Sequence, residues 1–208
     1  MGKVDDNKKK KKTDLMETAF QLFSSQGVAR TTISDIAQHA GVAKGTFYLY
    51  FKDKYDLHEK LVIYESKKLF LHALQYSDYH ELETPQEKVL SIIDDVLHQL
   101  EKNHLLLRFI NKNLSWGIFR RAIDQTETDY STVFEEILGS AMADRKLLEI
   151  EVYTIVEMVG SSCYSVILDS DPVSLDQYLP HLHRSILAII SSFQTERGKA
   201  ARLAGTDI

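Results

Sequence analysis

Residues 32 to 54 read Thr-Ile-Ser-Asp-Ile-Ala-Gln-His-Ala-Gly-Val-Ala-Lys-Gly-Thr-Phe-Tyr-Leu-Tyr-Phe-Lys-Asp-Lys, and no other stretch of this 208-residue chain narrows its fold as much. Thr32 stands directly before Ile33, Ile36 and Ala37, where a side-chain oxygen caps a helix, and Asp35 has the spacing of a short capping box. A helix over Ile33–His39 follows. Gly41 ends it, because glycine accepts the left-handed conformation that a helix C-terminus needs. Val42 turns back toward the core, and a second helix starts near Ala43. Phe47 and Phe51, four residues apart, share the face that packs inward. Lys44, Thr46, Leu49 and Tyr50 then point elsewhere, and Lys52 and Lys54 follow.

A solvated face rarely places Tyr48, Leu49 and Tyr50 in succession. Lysine ammonium groups, Thr and Tyr hydroxyls and helix N-termini are the groups that hold DNA phosphates. Gly45 is a poor helix former, better explained where backbone must approach something closely, such as a phosphate. The segment therefore reads as a helix-turn-helix with one face packed and the other on DNA. A helical hairpin with a solvated second helix is the weaker alternative.

The net charge of −5 runs against a DNA partner until its distribution is considered. Residues 1–54 hold ten Lys or Arg against six Asp or Glu, whereas residues 55–208 hold fifteen against twenty-four. A basic head on an acidic body orients the molecule toward DNA. Lys8 to Lys12 form an unbroken run. It reads equally as a solvated tail and as an arm adding phosphate or minor-groove contacts, and residues 1–12 are expected to be a flexible basic arm.

The run Thr31 to Ala37, then Ala40-Gly41-Val42, then Lys44-Gly45-Thr46-Phe47-Tyr48-Leu49-Tyr50-Phe51, with Lys54 and Leu57, closely resembles the N-terminal domain of the TetR family of transcriptional regulators. Upstream, Ala19, Phe23 and Gly27 match that family's first helix. The resemblance covers roughly residues 13 to 62. It implies that Thr32 and Ser34 open the supporting helix near the DNA backbone, and that Lys44, Gly45 and Thr46 begin the recognition helix. It also implies that Tyr48, Leu49 and Tyr50 lie along the DNA side, with Tyr50 a phosphate ligand, and that Lys54 holds another phosphate.

The rest of the chain reads as helical. Prolines occur only at 85, 172 and 180, and strand-like alternation is absent. Leu15, Ala19, Leu22 and Phe23 share one face of a first helix. A long helix runs from about Lys54 to Tyr76, with Leu57, Leu61 and Tyr64 on one stripe. Thr84-Pro85-Gln86-Glu87 is a helix start, with cap, proline and capping glutamate, and that helix runs to about Lys102. His104 to Arg121 is helical with a break near Ser115 or Gly117, and another helix spans about Thr128 to Ala143. The last two run from about Leu147 to Leu168 and from Leu175, behind Ser174 and Gln177, to Phe193. The expected fold is all-α with about nine helices: a three-helix helix-turn-helix domain over 13–58, a helical effector-binding and dimerisation bundle over 59–195, and a frayed tail over 196–208.

Val152, Val156, Val159, Cys163 and Val166 step by four and three, as do Leu175, Leu179, Leu182, Ile186, Ile189 and Phe193. This is the seam of coiled-coil-like bundles. Much of it must pack within its own domain. The wide apolar face and the small residues Gly160, Ser161 and Ser162 also suit a four-helix interface between two subunits, which the resemblance implies. Val159, Cys163, Val166, Leu182, Ile186, Ile189 and Phe193 are the residues expected there. A two-fold dimer predicts a palindromic double-stranded DNA operator, with recognition helices about 34–36 Å apart or a multiple of that.

Phe109, Trp116, Phe119, Tyr130 and Phe134, together with Tyr153, Glu157 and Tyr164 on the other face of the helix near residue 160, would line a pocket of aromatic walls with a few polar groups. They would serve equally as ordinary core. The resemblance implies a small apolar or amphipathic effector. Arg108, Arg120 and Arg121 suit an anion and Glu157 a cation, and the sequence does not choose between them.

Several chemistries find no residues to carry them. The eight histidines form no His-x-x-x-His pair, there is no Cys cluster for zinc, and no phosphate loop or nucleophile elbow appears, so no metal, cofactor or catalytic site is expected. A single cysteine excludes an internal disulfide and fits a reducing cytoplasm, with Cys163 a buried structural thiol. No apolar run is expected to span a membrane, and the lysine-rich N-terminus is not a signal peptide. The reading is a dimeric repressor released by a small-molecule effector. The alternatives are an activator, a DNA-bound adapter gripping another protein and, last, a helical enzyme sharing the N-terminal pattern.

Overall fold

The computed structural model describes residues 3–79, 82–110, 116–124 and 145–204. These form nine helices and, among the described residues, no strand: α1 (Lys3–Gln26), α2 (Ile33–His39), α3 (Lys44–Tyr48), α4 (Lys54–Tyr79), α5 (Pro85–Lys102), α6 (His104–Ile110), α7 (Trp116–Asp124), α8 (Arg145–Asp169) and α9 (Leu175–Ala204). The helix expected over Thr128–Ala143 and the break at Ser115 lie outside the described residues, and Gly117 sits inside α7.

Local chemistry sets the helix ends. Thr32 caps α2 with a complete box: its hydroxyl accepts from the Asp35 backbone N–H at 3.1 Å, and its own N–H donates to the Asp35 carboxylate at 3.0 Å. The Thr32 hydroxyl and then its backbone N–H hold the Asp35 carboxyl below the usual carboxylate range. Gly41, at φ 66°, follows α2 while its N–H donates to Gln38 and that of Val42 to Ala37, the hydrogen-bond pattern of a Schellman stop. Asp53 caps α4 by accepting the N–H groups of Tyr55 and Asp56, both at 2.8 Å. Thr84 and Glu87 form the second capping box, with Pro85 opening α5.

Leu15, Ala19 and Phe23 of α1 pack with Ile36, Phe47, Phe51 and Leu57, all buried, so α1 to α3 close over the first turns of α4. Beyond them α4 lies along α5 and α7, α5 reaches α8 and α9, and α8 pairs with α9. Helix α6 touches α1, α4, α5 and α8, and one continuous apolar core runs from Leu15 to Ile190 through this crossing. Polar clasps tie the layers. Adjacent Asp94 and Asp95 of α5 hold His183 of α9 at 2.6 Å and His72 of α4 at 2.9 Å. On α7, Arg121 pairs with Glu59 of α4 and Arg120 with Glu149 of α8.

Several expectations change. The stretch expected to be a flexible arm is helical from Lys3, because lysine is a good helix former and α1 is nucleated by its packed Leu15–Phe23 segment. The tail expected to fray continues as helix to Ala204, where Ala, Lys and Arg outweigh the cost of Gly198. Tyr64 leaves its expected stripe for solvent, with the Lys68 ammonium over its ring. By length and composition alone α8 would pass for a membrane span, yet it packs against α5, α6, α7 and α9.

The largest change concerns the C-terminal seams. Cys163, Val166, Leu182 and Ile186 are buried within a single chain, while Val159, Ile189 and Phe193 are half-buried. The buried four are therefore covered by the chain's own helices within one subunit. A four–three spacing describes a helix packed on any neighbour, so the pattern carried no information on whose helix it meets. Burial pushes the Cys163 thiol up to about 11, leaving it protonated and inert as a structural thiol would be.

Candidate nucleic-acid interface

The α2–turn–α3 unit presents its residues in two sets. Phe47 and Phe51 are buried with ring centroids 5.5 Å apart. On the opposite side Tyr48 is 53% and Leu49 78% exposed, and Ser34, Lys44 and Gly45 are exposed beside them. Among the described residues nothing covers this leucine. No atom of the described residues lies within 4 Å of where a Gly45 side chain would begin, so none of their contacts requires glycine there. Lys8 to Lys12, Arg30 and Lys52 add exposed positive charge to the same small domain.

Three residues assigned contacts by resemblance are already engaged. The Thr32 hydroxyl donates to the Asp35 carboxylate at 2.7 Å. The Tyr50 hydroxyl donates to the Lys8 backbone carbonyl at 3.1 Å. The Lys54 ammonium donates to the Ala29 and Thr31 carbonyls, both at 2.9 Å, and so ties α4 to the loop before α2. No local signal could have found these last two links, which join residues 42, 25 and 23 positions apart. Lys54→Ala is expected to lower stability by about 1–3 kcal/mol, since two carbonyls lose a charged donor. A purely phosphate-binding lysine would leave the thermal midpoint unchanged, so a melt separates the two roles.

The residues expected to line an effector pocket divide into two groups. Trp116 and Phe119 of α7 lie tilted against each other at 5.7 Å, Phe119 meets Phe70 of α4 edge-on at 4.9 Å, and Trp116 meets Tyr153 of α8 at 6.2 Å. Glu157 accepts the backbone N–H of Trp116 at 2.7 Å, a carboxylate at the start of α7 where the helix dipole favours it. Tyr164 is half-buried against the core. Tyr130 and Phe134 lie outside the described residues. Phe109 instead joins the first domain, 5.0 Å from Phe20 and 5.2 Å from His58, which itself lies 5.7 Å from Phe23.

Burial in this aromatic junction lowers the pKa of His58. The folded chain thus binds a proton less readily there than the unfolded chain does. The junction's stability is complete above the ordinary histidine value of about 6.5 and falls as pH drops below it. Urea unfolding between about pH 7.5 and 5.5 should show this loss, and His58→Phe should flatten it.

A capped, glycine-stopped helix pair on a basic domain, joined through one long helix to a second helical bundle, defines a helix-turn-helix regulator. The model of the "Bacterial regulatory proteins, tetR family" matches residues 15–61. The chain is 28% identical over 147 residues to the fatty acid metabolism regulator protein of Bacillus subtilis, spanning 68% of this chain and 73% of that protein. A tetR-family transcription regulator from Shewanella superposes with a TM-score of 0.63 at 20% identity, covering 86% of this chain and 95% of that one. The Bacillus subtilis regulator FadR, solved in complex with stearoyl-CoA, gives 0.55 at 21% identity over 86% and 96%. Residues 15–61 are thus a TetR-family DNA-binding domain, and the chain as a whole is similar in sequence and fold to TetR-family transcriptional regulators.

Proposed function

We propose that this regulator is a cytoplasmic repressor that binds a palindromic operator as a homodimer and releases it when a small-molecule effector occupies the C-terminal bundle. The observation that carries the reading is the exposed face of α3. Lys44, Gly45, Tyr48 and Leu49 stand clear of the core there, while Phe47 and Phe51 anchor the helix from behind. Ser34 and Thr46 flank that face. Thr32, Tyr50 and Lys54 support it through the bonds described above. The DNA-binding domain is residues 13–58 together with the helical extension before it, and the effector and dimer domain is 59–195.

Coupling between the two runs along α4. The helix begins at the turn after α3, and its Glu59 is held by Arg121 of α7, the helix whose Trp116 and Phe119 form the aromatic wall with Phe70 and Tyr153. A ligand that displaces α7 pulls on α4 and takes the two α3 helices out of register. A coupling of about 1–3 kcal/mol suffices for such a switch. The dimer uses the outer face of α8 and α9, including Val159, Leu187, Ile189 and Phe193.

The name of the Bacillus subtilis relative makes acyl chains the first effector class to test. A duplex selected from a random-sequence library by the protein serves as probe. Stearoyl-CoA, free stearate and coenzyme A are each titrated against the complex. Release by the acyl thioester and not by coenzyme A supports an apolar effector site. If no acyl compound releases DNA or shifts the thermal midpoint, the acyl assignment falls. If a broad small-molecule screen also fails, the adapter reading replaces the sensor.

A further inference from the structure

The lysine run is the one prominent sequence feature that the helix-turn-helix reading leaves unused. In the structure it is one turn of α1, with Lys8 through Lys12 all exposed and none in an ion pair with another described residue. A helix rises about 1.5 Å per residue, so the five ammonium stems leave the axis within about 6 Å of its length. At about 100° per residue they also point all round it, and whichever side meets an anion presents two or more of them.

This turn has a defined place. The Tyr50 hydroxyl donates to the carbonyl of Lys8 at 3.1 Å, and the Thr13 hydroxyl donates to that of Lys9 at 3.2 Å. Tyr50 lies two residues beyond the end of α3. The lysine turn is therefore pinned beside the exit of the helix whose Tyr48 and Leu49 are exposed. A phenol has one proton to donate, and that of Tyr50 is used on the Lys8 carbonyl. A phosphate oxygen needs a donor, so in this arrangement Tyr50 is not the group that supplies one.

We infer that the lysine turn of α1 is a second phosphate-binding element, seated on the DNA strand flanking the groove that receives α3, and that Tyr50 is its positioning residue. The inference rests on the DNA-binding reading above and extends it to a part of the chain outside the helix-turn-helix. It departs from the expectation of a direct Tyr50–phosphate bond: the hydroxyl orders the lysines, and the lysines hold the phosphates. Duplex DNA is the occupant because it presents a dense row of phosphates to the exposed face of α3, and the lysine turn is the concentrated positive charge held next to the end of that helix.

The test uses the full chain and a duplex that the unsubstituted protein selects from a random-sequence library. In one variant all five lysines, Lys8 to Lys12, become glutamine, which keeps the helix propensity and removes the charge. Binding is measured over a series of salt concentrations. The plot of log affinity against log salt should flatten by about 2 for each subunit bound, and the affinity loss should be the same on the selected and on random duplexes. Replacing the five by arginine should keep the slope. Tyr50→Phe should weaken binding in the native background and have no further effect in the five-glutamine background.

An unchanged slope in the glutamine variant overturns the proposal. So does an equal loss from Tyr50→Phe in both backgrounds, which would return the hydroxyl to the DNA itself. Circular dichroism and the thermal midpoint check that the glutamine chain is folded, and the arginine chain provides the same comparison without charge loss. If the unsubstituted protein enriches no duplex, the DNA-binding reading itself fails. If it does and only the slope is unmoved, this inference alone falls.

Discussion

Ile186→Glu is expected to unfold the C-terminal bundle rather than to separate two intact subunits. Ile186 is 0% exposed in the single chain. The substitution removes a fully buried aliphatic group and places a carboxylate among Leu182, Ile190 and the other apolar residues of the same core. Losing the burial costs about 2–5 kcal/mol, and an unpaired buried charge adds to it. That total approaches the whole stability of an ordinary domain, about 5–15 kcal/mol. Denaturant unfolding should show a collapsed or absent transition, with aggregation in sedimentation. A well-folded monomer with an unchanged melt would instead mean that Ile186 faces a partner. Leu187, 37% exposed on the next position of α9, is the informative contrast. Leu187→Glu should leave the melt almost unmoved, and conversion to a monomer there would put the dimer contact on the outer face of α9.

Leu49→Asp should abolish useful DNA binding while leaving the fold intact. At 78% exposure the leucine contributes little to the core, so the melt should move by no more than about 0.5 kcal/mol. On a phosphate-facing surface the new carboxylate meets like charge, at a cost of several kcal/mol, and about 3 kcal/mol is already more than a hundredfold in affinity. Fluorescence anisotropy on the selected duplex measures the loss. Affinity within a few-fold of the unsubstituted protein would remove Leu49, and with it this face of α3, from the interface.

These two positions show where sequence reasoning carries and where it stops. Leu49 was assigned to the outside from a five-residue neighbourhood, because Phe47 and Phe51 claim the inner face of so short a helix. Ile186 lies in a helix of thirty residues with an apolar face wide enough to meet more than one neighbour. Its spacing is the same whether the neighbour is α8 of its own chain or a helix of another. The pocket residues behave likewise: Phe109 and Trp116 are both aromatic and seven apart, yet one packs on His58 and Phe20 and the other on Tyr153. Nothing in their local sequence distinguishes the two destinations.

Caps, stops and inner faces were legible because each depends on contacts within four or five residues. Thr32 with Asp35, Thr84 with Glu87, Gly41 after His39, and Phe47 with Phe51 needed no knowledge of the rest of the chain. The sequence alone therefore determined an all-helical chain, its helix-turn-helix and which side of α3 is left exposed. Only the tertiary structure decided that Cys163, Val166, Leu182 and Ile186 of the C-terminal seams close on their own chain, that Lys54 holds the loop before α2, and that Tyr50 reaches back to Lys8. Those links join residues far apart in sequence. A lysine or tyrosine next to a recognition helix has the same local chemistry whether its donor ends on a phosphate or on a carbonyl of its own backbone.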